Sequence, residues 1–255
     1  MTRPFRSWTV LPHGKLSHVD ENILTVIGLL RVPPMGDVER RMTVVRLKNG
    51  DAVVYSAIAL DEPQMASLEA FGAPRYLVIP NDIHRMDVRA WKARYPAITV
   101  IAPAAARKRV ERLVPVDATA IEFPDPAVRL VTVPGTGDRE LALLVENAGG
   151  TTLILNDIIF DLGARPGVIG WLFKKIGMTG DRPHVPPLVK LRQVEDPEEL
   201  GKQLVRWARL PNLKRVIISH GNVIANQPSL VLERIANELE PRSRPVRSAD
   251  ERPTV

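Results

Sequence analysis

Residues 75–87, Arg-Tyr-Leu-Val-Ile-Pro-Asn-Asp-Ile-His-Arg-Met-Asp, constrain the fold more than any other stretch. Tyr76 to Ile79 form a short apolar run of the kind that fills a fully buried strand. Pro80 and Asn81 stop it. Asp82, His84 and Asp87 follow at once, and Val88 to Tyr95 has the pattern of a helix. A buried strand that delivers carboxylates and an imidazole past its carboxyl end is how α/β proteins commonly present chemistry. The plainer alternative is a polar strand-to-helix turn, with Asp82 or Asp87 capping the helix and His84 merely exposed.

The flanking pattern extends this unit. Ile98 to Ile101 reads as a second buried strand, followed by a helix to about Leu113. Strand, helix, strand implies parallel pairing in a layered α/β domain. Upstream, Ile23 to Val32 reads as a first edge strand ending at Pro33-Pro34. Met42 to Leu47 and Ala52 to Tyr55 flank an Asn-Gly turn, the strongest short hairpin signal. Asp61-Glu62-Pro63 opens a helix through about Phe71. Downstream, Val128 to Val133, Glu140 to Glu146 and Thr151 to Leu155 are successive strands. Glu198 to Leu210 is an amphipathic helix, Arg215 to Ile218 a buried strand, and Ser229 to Leu239 a last helix. Glycines and prolines break any long element over 162–195. β segments followed by helices, twice, imply two sheets flanked by helices. Residues 1–240 read as one domain and 241–255 as a polar, disordered tail.

Several function classes fall away on composition. The 255 residues contain no cysteine, which excludes disulfides, thiolate zinc sites and a cysteine nucleophile. Any metal must be held by His, Asp, Glu or Asn. No apolar stretch approaches the ~20 residues of a membrane span, and Met1-Thr-Arg-Pro-Phe-Arg is no signal-peptide core, so the cytoplasm is the default. The net charge of +6 invites a nucleic-acid partner, but the arginines are scattered and aromatics are only 5% of the chain. A solvated basic surface is the better account, and no nucleic-acid partner is expected. There is no Gly-x-Ser-x-Gly elbow, and Gly135-Thr-Gly137 has no following helix to make a dinucleotide loop.

Three polar residues occupy equivalent places: His84, Asp157 and His220 each follow directly on a short apolar strand. Strand ends far apart in sequence can converge on one edge of a sheet layer. Two imidazoles and a carboxylate suit zinc, iron or manganese. Taken singly, Asp157 is equally well a cap or an Asx-turn, and His220 a hydrogen-bonded residue at a strand end.

These residues, in this order and spacing, resemble the metallo-β-lactamase superfamily. Val133-Pro-Gly-Thr-Gly-Asp-Arg-Glu-Leu-Ala-Leu-Leu-Val145 and Thr152-Leu-Ile-Leu-Asn-Asp-Ile-Ile-Phe160 are similar to its Pro-Gly-His-Thr turn and following Asp-bearing strand. Val216-Ile-Ile-Ser-His-Gly221 looks like its final His-Gly strand end. The Ile-Pro-Asn-x-x-His run, with Trp91 and Tyr95-Pro96, resembles a divergent branch. The resemblance spans roughly residues 42–224 and implies an α/β fold, a four-layer αββα sandwich of two mixed sheets with a metal along one edge.

The resemblance makes His84, Asp157 and His220 the metal ligands. The family's His-x-His-x-Asp-His motif is here Asn81-Asp-Ile-His-Arg-Met-Asp87, and Gly135-Thr136 stands where its turn has an imidazole. One divalent ion (zinc, manganese or iron) is therefore the most the chain is expected to hold, and an empty site is the alternative. The implied function is metal-activated hydrolysis of a small-molecule ester, lactone or phosphoester; the alternative is a non-catalytic binding module. Asp82 and Asp87 are the expected catalytic groups, orienting water or acting as base. Trp171, Leu172 and Phe173 are expected to contact an apolar part of the substrate, and Lys174, Lys175 and Arg182 an anionic part. His184 is a candidate substitute ligand.

Overall fold

A computed structural model describes residues 4–32, 36–163 and 167–239. In chain order the elements are β1 (Ser17–Asp20), β2 (Ile23–Val32), β3 (Gly36–Arg46), β4 (Asp51–Tyr55), α1 (Glu62–Phe71), β5 (Ala73–Val78), α2 (Val88–Arg94), β6 (Thr99–Ile101) and α3 (Arg107–Val110). There follow β7 (Val128–Thr132), β8 (Leu141–Asn147), β9 (Gly150–Ile154), β10 (Phe160–Asp161), α4 (Gly167–Lys175), α5 (Pro187–Gln193), α6 (Pro197–Ala208), β11 (Leu213–Ile217), β12 (His220–Gly221) and α7 (Pro228–Leu239).

Strands β1 to β6 form one sheet in sequence order, and a second runs β11-β9-β8-β7. Both are mixed. The first is antiparallel as far as β4 and parallel from β4 to β6; the second is antiparallel except for the β9–β11 pair. The parallel pairs arise where a helix intervenes, since a crossover is needed to return a strand in the same direction.

Alternate residues of each strand sort into separate cores. Ile23, Val45, Val53 and Val78 meet Leu141, Leu143, Val145 and Ile154 between the sheets. Val44, Val54 and Leu77 face outward onto Met65 and Leu68 of α1 and Trp91 of α2. Leu144, Leu153 and Val216 face the other way onto Leu200, Leu204 and Trp207 of α6 and Leu232 and Ile235 of α7. The result is the four-layer αββα sandwich. With both faces covered, β4, β5, β9 and β11 are apolar on both sides, which is why they read as continuous runs and not as alternation. Each fully buried Val, Leu or Ile contributes ~1.5–3 kcal/mol.

Three local expectations change. Ile23–Val32 is not an edge, because β1 pairs outside it. The helix after Pro103 is a single short turn, Arg107–Val110. β3 starts at Gly36, well before Met42, and its polar first half, Gly-Asp-Val-Glu-Arg-Arg, reads as loop. Pairing with the whole of β2 makes it a strand and carries Arg40 and Arg41 to the edge where the parallel strands end. The expected polar tail, 241–255, lies outside the described residues.

Candidate metal centre

Four strand ends supply this edge. Ser56 follows β4, Asn81 and His84 follow β5, Asp157 follows β9, and His220 follows β11. The two sheets are tied here, the Leu141 amide donating to the Pro80 carbonyl at 2.9 Å and the Tyr55 hydroxyl to the Leu141 carbonyl at 2.7 Å.

Three donor atoms meet at the centre. His84 Nε2 is 3.0 Å and His220 Nε2 3.1 Å from Asp157 Oδ1, and the two nitrogens are 3.3 Å apart. The side chains of His84, Asp157 and His220 are only 8, 4 and 10% exposed. Donors each ~2.0–2.1 Å from a tetrahedral ion stand roughly 3.3–3.4 Å apart, so the spacing fits a common cation.

The hydrogen bonds behind each ring fix which atoms point inward. His220 Nδ1 lies 2.6 Å from the Glu39 carbonyl, which can only accept, so Nδ1 carries the proton and Nε2 a lone pair. His84 Nδ1 lies 2.8 Å from the Ser56 hydroxyl, the same outer support on the other ring. Ser56 holds φ 57°, a left-handed backbone that a non-glycine residue seldom adopts, and its amide donates to the Val78 carbonyl at 3.1 Å. Asp157 Oδ2 accepts from Asn81 Nδ2 at 2.8 Å, whereas buried Oδ1 has no partner in hydrogen-bond geometry. Lone pairs facing one another across ~3 Å repel unless a cation or a proton lies between them. The donor set and its orphaned oxygen therefore fit a divalent ion.

The carboxylate is polarised from behind. Glu140, fully enclosed, accepts from the Asp157 amide at 2.8 Å, the Asn156 amide at 3.2 Å and Asn81 Nδ2 at 3.1 Å. Burial, and after it the Asp157 charge, push the Glu140 carboxyl up to about 8. Burial acts on Asp157 in the same direction, but in the metal-free site the charge that His84 and His220 carry when protonated outweighs it and holds this carboxyl well below the usual range. Asn81 Oδ1 accepts from the Ile83 and His84 amides at 2.9 and 3.0 Å, shaping the loop that presents His84. Arg41 grips the Ile218 and Gly221 carbonyls at 3.0 and 2.6 Å and thereby fixes the loop carrying His220.

Two glycines are explained by close approach. Gly221 has φ 121°, and a Cβ there would overlap the Asp161 carbonyl, against which β12 pairs with β10. Gly135 has φ 79°, and a Cβ would overlap the Asp196 carbonyl at the start of α6. Its own carbonyl accepts from the Glu195 and Asp196 amides, so the turn anchors a helix and brings no imidazole to the centre.

Other expected residues lie elsewhere. Asp82 pairs with Arg109 at the surface. Asp87 is buried and pairs with Arg40, also accepting from the Ala59 amide at 3.2 Å. Neither lines the 280 Å³ cavity over the triad, so the structure supplies no geometry for them as bases. Trp171 is exposed and Lys174 pairs with Asp181 at 3.8 Å, both away from the cavity lining. Phe173 packs behind Phe160, Met178 and Val189, which do line it. Arg182 pairs with Glu238. His184 has both ring nitrogens at 3.0 Å from carbonyl oxygens, of Arg182 and Gly177, and is no ligand here. As functional residues, Ser56, Glu140, Arg40 and Arg41 carry no motif in the sequence; the one available signal is a charged residue, Glu140, directly before the apolar run Leu141 to Val145.

The layers, the mixed sheets and the edge position of the triad define the metallo-β-lactamase fold. Metallo-β-lactamase structures superpose on nearly the whole chain. DIM-1 exposed to ceftazidime covers 91% of this chain and 100% of its own at TM-score 0.60 and 14% identity. The enzyme from Hirschia baltica covers 87% and 97% at 0.58 and 14%. FIM-1 from Pseudomonas aeruginosa, in its mono-zinc form, covers 90% and 96% at 0.56 and 15%. No protein-family model and no curated protein matches the sequence.

Proposed function

We propose that the protein is a hydrolase with a mononuclear metal site, cleaving an ester, lactone or phosphoester. The observation that carries this reading is the convergence of His84 Nε2, His220 Nε2 and Asp157 Oδ1 within 3.0–3.3 Å in a cavity with apolar walls. An ion held by these residues supplies Lewis acidity, polarising the reacting oxygen of the substrate and making water nucleophilic near neutral pH.

The chain's own residues do the rest. The Glu39 carbonyl holds the His220 imidazole in the ligating tautomer, Ser56 orients the His84 ring, and Asn81 fixes Asp157 by its second oxygen. Leu30, Val38, Met86, Phe160 and Met178 exclude bulk water, which strengthens every electrostatic interaction inside. Phe173 backs this wall from α4. FIM-1, which shares this fold, has a mono-zinc form.

The test is metal content of untagged protein beside a His84→Ala/His220→Ala double variant. The reading expects roughly one ion per chain in the wild type and none in the variant. Absence of metal after soaking with zinc, manganese and iron would sink it. That outcome would favour the second reading, a binding module. Its support is that, among the described residues, Asp157 is the only carboxylate lining the cavity, leaving no separate base.

A further inference from the structure

Arg40 lines the same cavity as the triad and is 93% buried, yet most of its hydrogen-bonding capacity is idle. One terminal nitrogen, Nη1, pairs with Asp87. Nε and Nη2 are both enclosed and have no partner. A buried charged donor left unsatisfied is costly, and these two come as a pair.

The pairing is chemically specific. Nε and Nη2 lie on one side of the guanidinium and form a fork matched to two oxygens of one oxyanion. Elsewhere in this protein the fork is closed: Arg31 grips Asp37 through Nε at 2.9 Å and Nη2 at 3.1 Å. In Arg40 the same two atoms are buried and unpartnered, on a residue that lines a cavity walled by Leu30, Val38, Ile83 and Phe160. Asp87 keeps the guanidinium anchored by its other end, so the fork is held in place before any ligand arrives.

We infer that Arg40 is the anchor for a carboxylate on an otherwise apolar substrate. This rests on the hydrolase reading only in calling the ligand a substrate. The substrate's carboxylate end occupies the fork, its apolar part fills the walls, and its scissile ester or lactone faces His84, Asp157 and His220. A carboxylate is favoured over a phosphate monoester because Asp87 already offsets the guanidinium charge, and a dianion beside it would meet repulsion. Gln193 adds a second unpartnered group on a lining residue, its buried Oε1, which suits a donor on the same ligand.

The experiment is calorimetric binding of octanoate, octanamide and octyl phosphate, with zinc present and again after chelation. Chelation matters because a carboxylate can also bind an ion. In chelated wild type, octanoate should bind roughly tenfold or more tightly than octanamide. Arg40→Lys keeps a charge beside Asp87 but loses the fork, and should forfeit most of that preference. Arg40→Met/Asp87→Asn removes both charges together, so that neither is left buried without its counterion, and should abolish it. Equal binding of octanoate and octanamide by chelated wild type overturns the proposal, as does a preference that survives in the double variant. Tighter binding of octyl phosphate than octanoate overturns the carboxylate assignment. Failure to bind zinc with the octanoate preference intact defeats the hydrolase reading and leaves the anion site standing; the reverse pattern does the opposite.

Discussion

His84 and His220 are 136 residues apart in sequence, lie at the ends of strands in different sheets, and place their Nε2 atoms 3.3 Å apart. Nothing local holds them there. The approach depends on the two sheets being packed face to face and on each ring being tied at its other nitrogen, to Ser56 and to the Glu39 carbonyl.

Those ties predict an effect on metal affinity without an effect on the fold. Ser56→Ala removes the hydroxyl beside His84 Nδ1 and leaves the backbone as it is. Zinc affinity should fall ~10–100-fold, as for other outer-shell partners of ligating histidines. Competition with a chromogenic chelator measures it, alongside an unchanged circular dichroism spectrum.

Glu140 predicts a pH dependence of stability in the metal-free protein. Its folded pKa is raised from 4.5 to about 8 by burial first and Asp157 second. The stability it contributes is therefore full below ~4.5 and drains away as pH rises through ~8, because the unfolded chain releases the proton first. Glu140→Gln should flatten the decline in urea midpoint between pH ~5 and ~8. An unaltered slope in the variant would remove Glu140 as its source.

Gly221→Ala forces a side chain into a backbone with φ 121° and against the Asp161 carbonyl. Strain at such positions costs about 1–3 kcal/mol, and here relief requires moving the residue next to His220. The expected outcome is a lower urea midpoint together with weakened zinc binding, whereas Gly180→Ala, with ordinary backbone, should affect zinc binding far less.

Metal should also stabilise the fold by mass action. At a free zinc concentration ~100-fold over Kd the gain is about 2.7 kcal/mol, or a rise in Tm of roughly 5–10 °C for a domain of this size. The His84→Ala/His220→Ala variant should show no such rise in a thermal scan with and without zinc.

Much of this arrangement is already written in the chain. An apolar run closed by Pro80-Asn81, Asn156-Asp157 or Ser219-His220 is a local signal, because a strand buried on both faces must be apolar throughout and must stop abruptly. That placed His84, Asp157 and His220 at strand ends, and the alternation of strands and helices gave the layered α/β class. Tertiary structure decided the rest. Asp82 and Asp87 look as catalytic as His84 on paper, but through-space pairing with Arg109 and Arg40 commits them elsewhere. Glu140 and Ser56 carry no motif; they matter because folding sets one behind the Asp157 amide and the other against His84. Arg40 sits in a polar run that resembles a loop, and only pairing with β2 turns it into a strand whose arginine enters the cavity. Apolar period and stop signals are properties of neighbours along the chain, whereas the partner of a charge or a lone pair is whatever residue the packed sheets bring within ~3 Å.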